Sequence, residues 1–176
     1  TCVVLANGLA GNAPITGPGA DYDALVEALR YVCEYEAKMI ASDGEGAGRL
    51  VTCTVQGAAS EEQAELMAKA VVRSPLVKCA IFGTDANWGR VLCAVGYSGA
   101  EFDPKDVEVK FLSQAGELKV CAGGQGVPFD EDLAKTVLSE PEVVILVTLT
   151  AGDAACSCWG CDLTYDYVKI NGDYRS

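Results

Sequence analysis

The residues from Ala41 to Leu50, ASDGEGAGRL, set one carboxylate, Glu45, between two glycines, with a third glycine two positions on. Glycine-rich loops ordinarily bring backbone amides close to a bound anion; this one carries an anion of its own. It lacks the Lys-Ser/Thr that completes a P-loop, and it stands before a strand-like run instead of a helix, so the phosphate and dinucleotide readings both fail. Two readings stay open. The glycines terminate a helix in the usual way, or they clear space around a displayed carboxylate that accepts hydrogen bonds from an ammonium or amide N–H.

The chain contains no histidine. Ser-His and Cys-His nucleophile pairs and every His-based metal site are therefore excluded within it. Catalysis by these residues has to use carboxylates, hydroxyls, amines or backbone dipoles. A threonine at a chain start can serve as a nucleophile with its own amine as the base, which makes Thr1 a candidate; the plain alternative is that the chain simply begins there. CSCWGC, Cys156 to Cys161, offers three thiols where zinc and iron–sulfur sites take four ligands. On a strand, Cys156 and Cys158 share one face and Cys161 takes the other, so small residues packed in a strand explain the run better than a metal does. GTDANWGR, Gly83 to Arg90, reads equally as a site or as a junction in which Asp85 or Asn87 caps the next helix and Trp88 covers the turn.

Composition narrows the partners. Over 176 residues the net charge is −12, which opposes binding to nucleic acid or to an anionic membrane, since both require clustered Lys and Arg. Half the residues are apolar and 22% are charged, enough for a core and too few charges for general disorder. No apolar run is long enough to span a bilayer, and TCVVLANG lacks the charged start of a signal peptide. The nine cysteines are odd in number and scattered among apolar residues, which fits a reducing cytoplasm better than a disulfide framework.

The elements that must position these groups follow from periodicity. Apolar residues at helical spacing from Tyr22 to Ile40 predict a long amphipathic helix over 21–40 that leads into the glycine loop. Cys2 to Leu5 reads as a strand end. Leu50–Gln56 reads as a strand, and Ser60–Arg73 as a helix opened by a Ser60/Gln63 capping box. Val77–Phe82 is read as a short apolar strand, and the segment from Asn87 as the start of a further helix. Val107–Leu112 and Glu117–Cys121 form two strands around a turn at 114–116; Phe129–Leu138 is a helix and Val143–Leu149 a strand. Cys156–Ile170 reads as mostly strand, and the aromatic, acidic ending DLTYDYVKINGDYRS as an ordered terminus. Helices and strands interleave without a strict βαβ period, so the expected fold class is α/β, a layered α+β arrangement.

Four stretches, TCVVLANG, KMIASDGEGAGRLVTCTVQGAAS, SPLVKCAIFGTDANWGRVLCAVGYSG and WGCDLTYDYVKINGDYRS, together resemble the C-terminal part of the ornithine acetyltransferase (glutamate N-acetyltransferase) family of arginine biosynthesis. The resemblance covers essentially the whole chain. It implies a cytoplasmic precursor that cuts itself before an internal threonine into an α and a β chain. The new N-terminal threonine would carry acetyl from N-acetylornithine to glutamate by a ping-pong route. No cofactor is implied, acetyl-CoA being possible as a substrate.

On matching positions, the resemblance places Glu45, Asn171 and Ser176 among the substrate-binding residues. It also implies that residues 1–46 are a remnant of the nucleophile-bearing N-terminal sandwich and 47–176 a compact C-terminal α/β domain. The family's nucleophile stands in an Ala-Thr-Met-Leu context, whereas Thr1 is followed by Cys-Val-Val. The expectation is thus that the nucleophile and the Thr-Gly oxyanion pair come from outside this chain, from an α chain or the missing N-terminal segment. The isolated chain would then be inactive and inclined to hetero- or homo-oligomerise. GEGAGR replaces the family's commoner Glu-Gly-Ala-Thr-Lys, and Ala86 stands where proline is usual. The alternative is a non-catalytic fragment or an assembly domain of the same family.

Overall fold

The computed structural model describes residues 3–173. Its contacts divide the chain into Thr1–Glu36 and Ala37–Ser176, and each unit is taken by itself. In the first, residues 3–19 form no strand, so the strand expected at Cys2–Leu5 is absent over its described part, and Val3, Val4 and Leu5 are exposed. Without a partner strand to accept its hydrogen bonds, a short β-branched run has nothing to pair with. Helix α1, Ala20–Ser42, follows with Asp21 and Asp23 in its first turn, where they complement the dipole. The amphipathic helix expected over 21–40 is there, yet no residue of it is buried. Tyr22, Leu25, Leu29 and Val32 all remain exposed.

Among its described residues the second unit has six strands: β1 Leu50–Ala58, β2 Glu108–Ser113, β3 Gly116–Ala122, β4 Gln125–Gly126, β5 Glu142–Thr148 and β6 Ala154–Cys161. They are ordered β4-β3-β2-β5-β1-β6. Only β1 and β5 run parallel, with Val51 opposite Val143 and Val55 opposite Val147; the other pairings are antiparallel. The strand period of two sends Val51, Cys53 and Val55 of β1, Val109 and Phe111 of β2, and Val143, Ile145 and Val147 of β5 into one buried cluster.

Helices cover that face. α2, Glu61–Arg73, contributes Ala64, Met67, Ala68 and Val71, and α5, Glu131–Leu138, contributes Ala134, Val137 and Leu138. α4, Trp88–Gly96, packs on α2 and adds Val91, Ala94 and Val95. The alternate positions bear polar pairs instead: Thr54 Oγ1 and Ser157 Oγ share a 2.8 Å hydrogen bond, and Gln56 Nε2 donates to Thr148 Oγ1 at 3.1 Å. A helical layer on a mixed sheet is the expected α/β fold.

Side-chain caps open these helices, at Ser60 and Asn87 as the sequence indicates. Ser60 accepts from Gln63 N at 3.2 Å and Asn87 from Arg90 N at 3.1 Å, and Asp130 Oδ1 accepts from Leu133 N at 3.1 Å. Two further expectations are corrected. The run read as a strand at Val77–Phe82 is helix α3, Pro75–Phe82: Ser74 caps it through Val77 N, and Pro75 sits in its first turn, where its missing N–H costs nothing. A short apolar run cannot by itself be told apart as strand or helix. The ending read as mostly strand stops being one at Cys161. Helix α6, Tyr165–Asp173, follows.

Candidate functional site

Residues 43–49 connect α1 to β1, and every glycine-loop expectation meets there. Asp43 N donates to Met39 O at 3.0 Å as the helix closes, and Ala47 N donates to Gly44 O at 2.9 Å to make the turn. Gly46 has φ +67°, a conformation glycine adopts without penalty. A Cβ built on it would lie 2.7 Å from Tyr167 N and 2.9 Å from Asp166 C. Its glycine therefore serves close approach: the loop lies directly against the first turn of α6.

Three side chains secure this contact. Thr164 Oγ1 donates to Gly46 O at 2.6 Å and accepts from Tyr167 N at 3.3 Å. Asp162 Oδ1 accepts from Gly48 N at 2.7 Å and from Arg49 N at 3.0 Å. Arg49 Nη1 stands 3.5 Å from Asp162 Oδ2 and donates to Ile81 O at 3.1 Å and Phe82 O at 3.2 Å at the end of α3. The Phe82 and Tyr165 rings meet edge to face at 5.3 Å. The Gly48 and Arg49 amides are thus donated to the chain's own carboxylate and the Ala47 amide to Gly44 O, which takes three of the loop's amides away from any bound anion.

Glu45 is exposed at the tip of this loop. Asn171, far along the sequence on α6, donates from Nδ2 to Glu45 Oε2 at 2.9 Å and to Tyr167 O at 2.9 Å. The structure thereby brings together two of the residues singled out in the sequence. Ser176 and Thr1 lie outside the described residues. Sequence reasoning missed Asp162 and Thr164. A threonine ahead of an acidic first turn is a recognisable N-cap signal, so Thr164 was within reach; nothing local marks Asp162. Lys78 also reaches this corner, with Nζ 3.7 Å from Cys161 Sγ.

The other motifs resolve as structure. In GTDANWGR, Asp85 Oδ2 accepts from Asn87 Nδ2 at 3.0 Å, Asn87 caps α4, and Arg90 Nη1 donates to Leu76 O at 2.9 Å. The Trp88 ring lies so close to Gly126 that a Cβ there would come within 2.6 Å of Cζ2. In CSCWGC, Cys156 and Cys158 pair across β1 with Val55 and Cys53 and pack partly on the core. Cys161 falls at the odd position, on the opposite face, next to Gly44 and Lys78. Among the described residues, no group of three or more His, Cys, Asp or Glu could hold a metal ion, and the described cysteines are free thiols.

Burial, reinforced by Cys158 and Cys156, pushes the Cys53 thiol far up; burial and then Cys156 push Cys158 up to about 11. Because the thiolate is the reactive form, alkylation at pH 8 is expected to modify the exposed Cys33, Cys79 and Cys93 first. Cys53 and Cys158 should stay unmodified until the protein unfolds or the pH rises by several units. Peptide mass mapping along a time course checks the order, and early labelling of Cys53 would contradict it.

Among the described residues no helix is long and apolar enough to cross a membrane. Against known proteins, the model of the ArgJ family matches residues 1–176. The chain is 52% identical over 176 residues to the arginine biosynthesis bifunctional protein ArgJ of Caldanaerobacter subterraneus subsp. tengcongensis, spanning 100% of this chain and 44% of that protein. It is 45% identical over 178 residues to the mitochondrial arginine biosynthesis bifunctional protein ArgJ of Schizosaccharomyces pombe, spanning 100% of this chain and 40% of that protein. The crystal structure of the arginine biosynthesis bifunctional protein argJ from Bacillus halodurans superposes with a TM-score of 0.89 at 42% identity, over 98% of this chain and 79% of that one. The chain thus spans less than half the length of the curated relatives it matches.

Proposed function

Since the chain belongs to the ArgJ family, we propose that it is the C-terminal portion of an ornithine acetyltransferase that moves acetyl from N-acetylornithine to glutamate. The observation that carries this reading is the Glu45–Asn171 contact. Two residues assigned by resemblance to substrate binding, far apart in sequence, meet on one exposed corner of the fold. Their chemistry suits an amino-acid substrate. A carboxylate at Glu45 accepts hydrogen bonds from an ammonium or amide N–H, and Asn171, whose two Nδ2 hydrogens go to Glu45 and Tyr167 O, offers its Oδ1 as a further acceptor.

The rest of the reaction is assigned to residues outside this chain. A threonine whose own amine is the base attacks the acetyl carbonyl, ornithine leaves, and glutamate takes the acetyl group from the threonine ester in the second half-reaction. Backbone and hydroxyl donors stabilise the tetrahedral oxyanion. Such a mechanism needs no histidine, in keeping with a chain that has none. It calls for no cofactor, with acetyl-CoA entering at most as an alternative acetyl donor. The matching stretch makes up 79% of the crystallised relative's chain but only 44% of a curated relative, so that crystallised chain is the shorter polypeptide. A precursor divided into α and β chains accounts for the difference.

Substituting Glu45→Gln in the complete protein, with the missing segment supplied, tests the reading. Losing one charge-assisted contact is worth about 1.5–3 kcal/mol, or roughly 10–100-fold in kcat/KM for N-acetylornithine. Wild-type kinetics would remove Glu45 from the site. A second reading, a non-catalytic assembly domain, is favoured by the exposed apolar residues of α1, Leu25, Leu29 and Val32, which suit a face that awaits another chain. The two readings separate on the complete protein, since an assembly domain loses no acetyl transfer when Glu45 is changed.

A further inference from the structure

The geometry assigns Thr164 and Asp162 as positioning residues that hold Glu45 and Asn171 in register with each other, a role that rests on the reading of Glu45 as a substrate contact. Glu45 has Gly44 before it and Gly46 after it, and glycine restrains backbone conformation least of all residues. Its orientation therefore has to be imposed from outside the loop. Asn171, its hydrogen-bond partner, is carried by a different element, α6. What needs explaining is how a loop and a helix far apart in the chain keep two side chains within 2.9 Å.

One hydroxyl touches both elements. Thr164 Oγ1 accepts from Tyr167 N in the first turn of α6 and donates to Gly46 O in the loop. A single buried oxygen thus fixes where the helix carrying Asn171 begins and where the residue after Glu45 lies. Thr164 is only 9% exposed, so water does not readily replace either bond.

Asp162 secures the other side of the loop. It is 3% exposed, and Oδ1 takes the two consecutive amides of Gly48 and Arg49. Among the described residues its second oxygen has no hydrogen-bond partner, and it faces the Arg49 guanidinium, which is itself anchored on Ile81 O and Phe82 O. A buried carboxylate with an incompletely satisfied oxygen is a costly way to fill space. It is well suited to fixing backbone, because the charge strengthens both amide bonds. Gly48 completes the fit: a Cβ there would come within 3.1 Å of Asp162 Oδ2.

The test uses the complete protein and N-acetylornithine, with Thr164→Val, Thr164→Ser and Asp162→Asn each made alone and on the Glu45→Gln background. Displacing a substrate contact by ~1 Å can cost up to ~10²-fold, and a partial displacement in Thr164→Val should cost about 10-fold in kcat/KM, mainly in KM. Thr164→Ser, which keeps the hydroxyl, should stay within about 2-fold of wild type. Because Thr164 positions Asn171 as well as Glu45, its loss shrinks without vanishing on the Glu45→Gln background, the double variant falling clearly short of the product of the two single losses.

A Thr164→Val loss that multiplies fully with Glu45→Gln, or that serine fails to rescue, overturns the positioning role and leaves the substrate reading standing. Wild-type kinetics for Glu45→Gln itself overturns the substrate reading and the positioning role together, a pattern distinct from the first. Should Thr164→Val not fold, Asp162→Asn is read by the same cycle. It keeps the shape and an acceptor for the two amides while removing the charge, and an effect independent of Glu45 overturns the role equally.

Discussion

Gly46→Ala is expected to lower kcat/KM of the complete protein by more than ~100-fold, a larger loss than removing the Glu45 charge alone. The added methyl would lie 2.7 Å from Tyr167 N and 2.9 Å from Asp166 C. Both are backbone atoms, so no rotamer change relieves the clash. The φ of +67° adds about 1–2 kcal/mol for any residue with a Cβ. The loop and α6 must separate, and with them go the Thr164–Gly46 bond and the contact between Asn171 and Glu45. Both proposed substrate contacts are then misplaced at once, whereas Glu45→Gln disturbs one. Steady-state kinetics beside a thermal melt checks the prediction. A variant that melts a few degrees lower but turns over normally would detach this loop from catalysis.

Phe111→Ala carries the largest expected cost in stability. Phe111 is 1% exposed and among the largest fully buried side chains. It sits mid-sheet on β2, between Leu118 of β3 and Ile145 of β5. Truncating it removes a ring from a close-packed interior and leaves a cavity that the strands on either side cannot close without breaking their ladders, so about 3–5 kcal/mol should be lost. For a domain of this size that corresponds to a drop of roughly 6–20 °C in Tm. Denaturant melts with an unchanged slope would assign the loss to packing; a drop under about 1 kcal/mol would mean that the core collapses around the vacancy.

Several features of this protein are settled locally and could be read in its sequence. The alternation of Val51, Cys53 and Val55 and of Val143, Ile145 and Val147 is a strand period whatever surrounds it. Ser60 and Asn87 cap helices through atoms three residues away. The four motif stretches were enough to point to the family. That this chain brings no histidine to any site follows from a count of residues.

What failed locally failed for a reason of the same kind. The apolar run Val77–Phe82 satisfies a strand and a buried helix equally, and the choice turns on packing against neighbours. TYDYVKIN after Cys161 is rich in β-formers, but its first turn is capped by Thr164 and packed against Gly46. Tertiary contact overrides propensity there. The candidate site lies at the same boundary. Glu45 and Asn171 could be nominated one at a time, but their meeting depends on Asp162, Thr164 and Arg49 drawing a loop, a strand end, α3 and α6 to one corner. Hydrogen bonds between residues more than a hundred positions apart leave no periodic trace in the chain. The residue types proposed for substrate binding were therefore present in the sequence, and their geometry was decided by the tertiary structure, because a carboxylate between two glycines has no preferred direction until something packed against it supplies one.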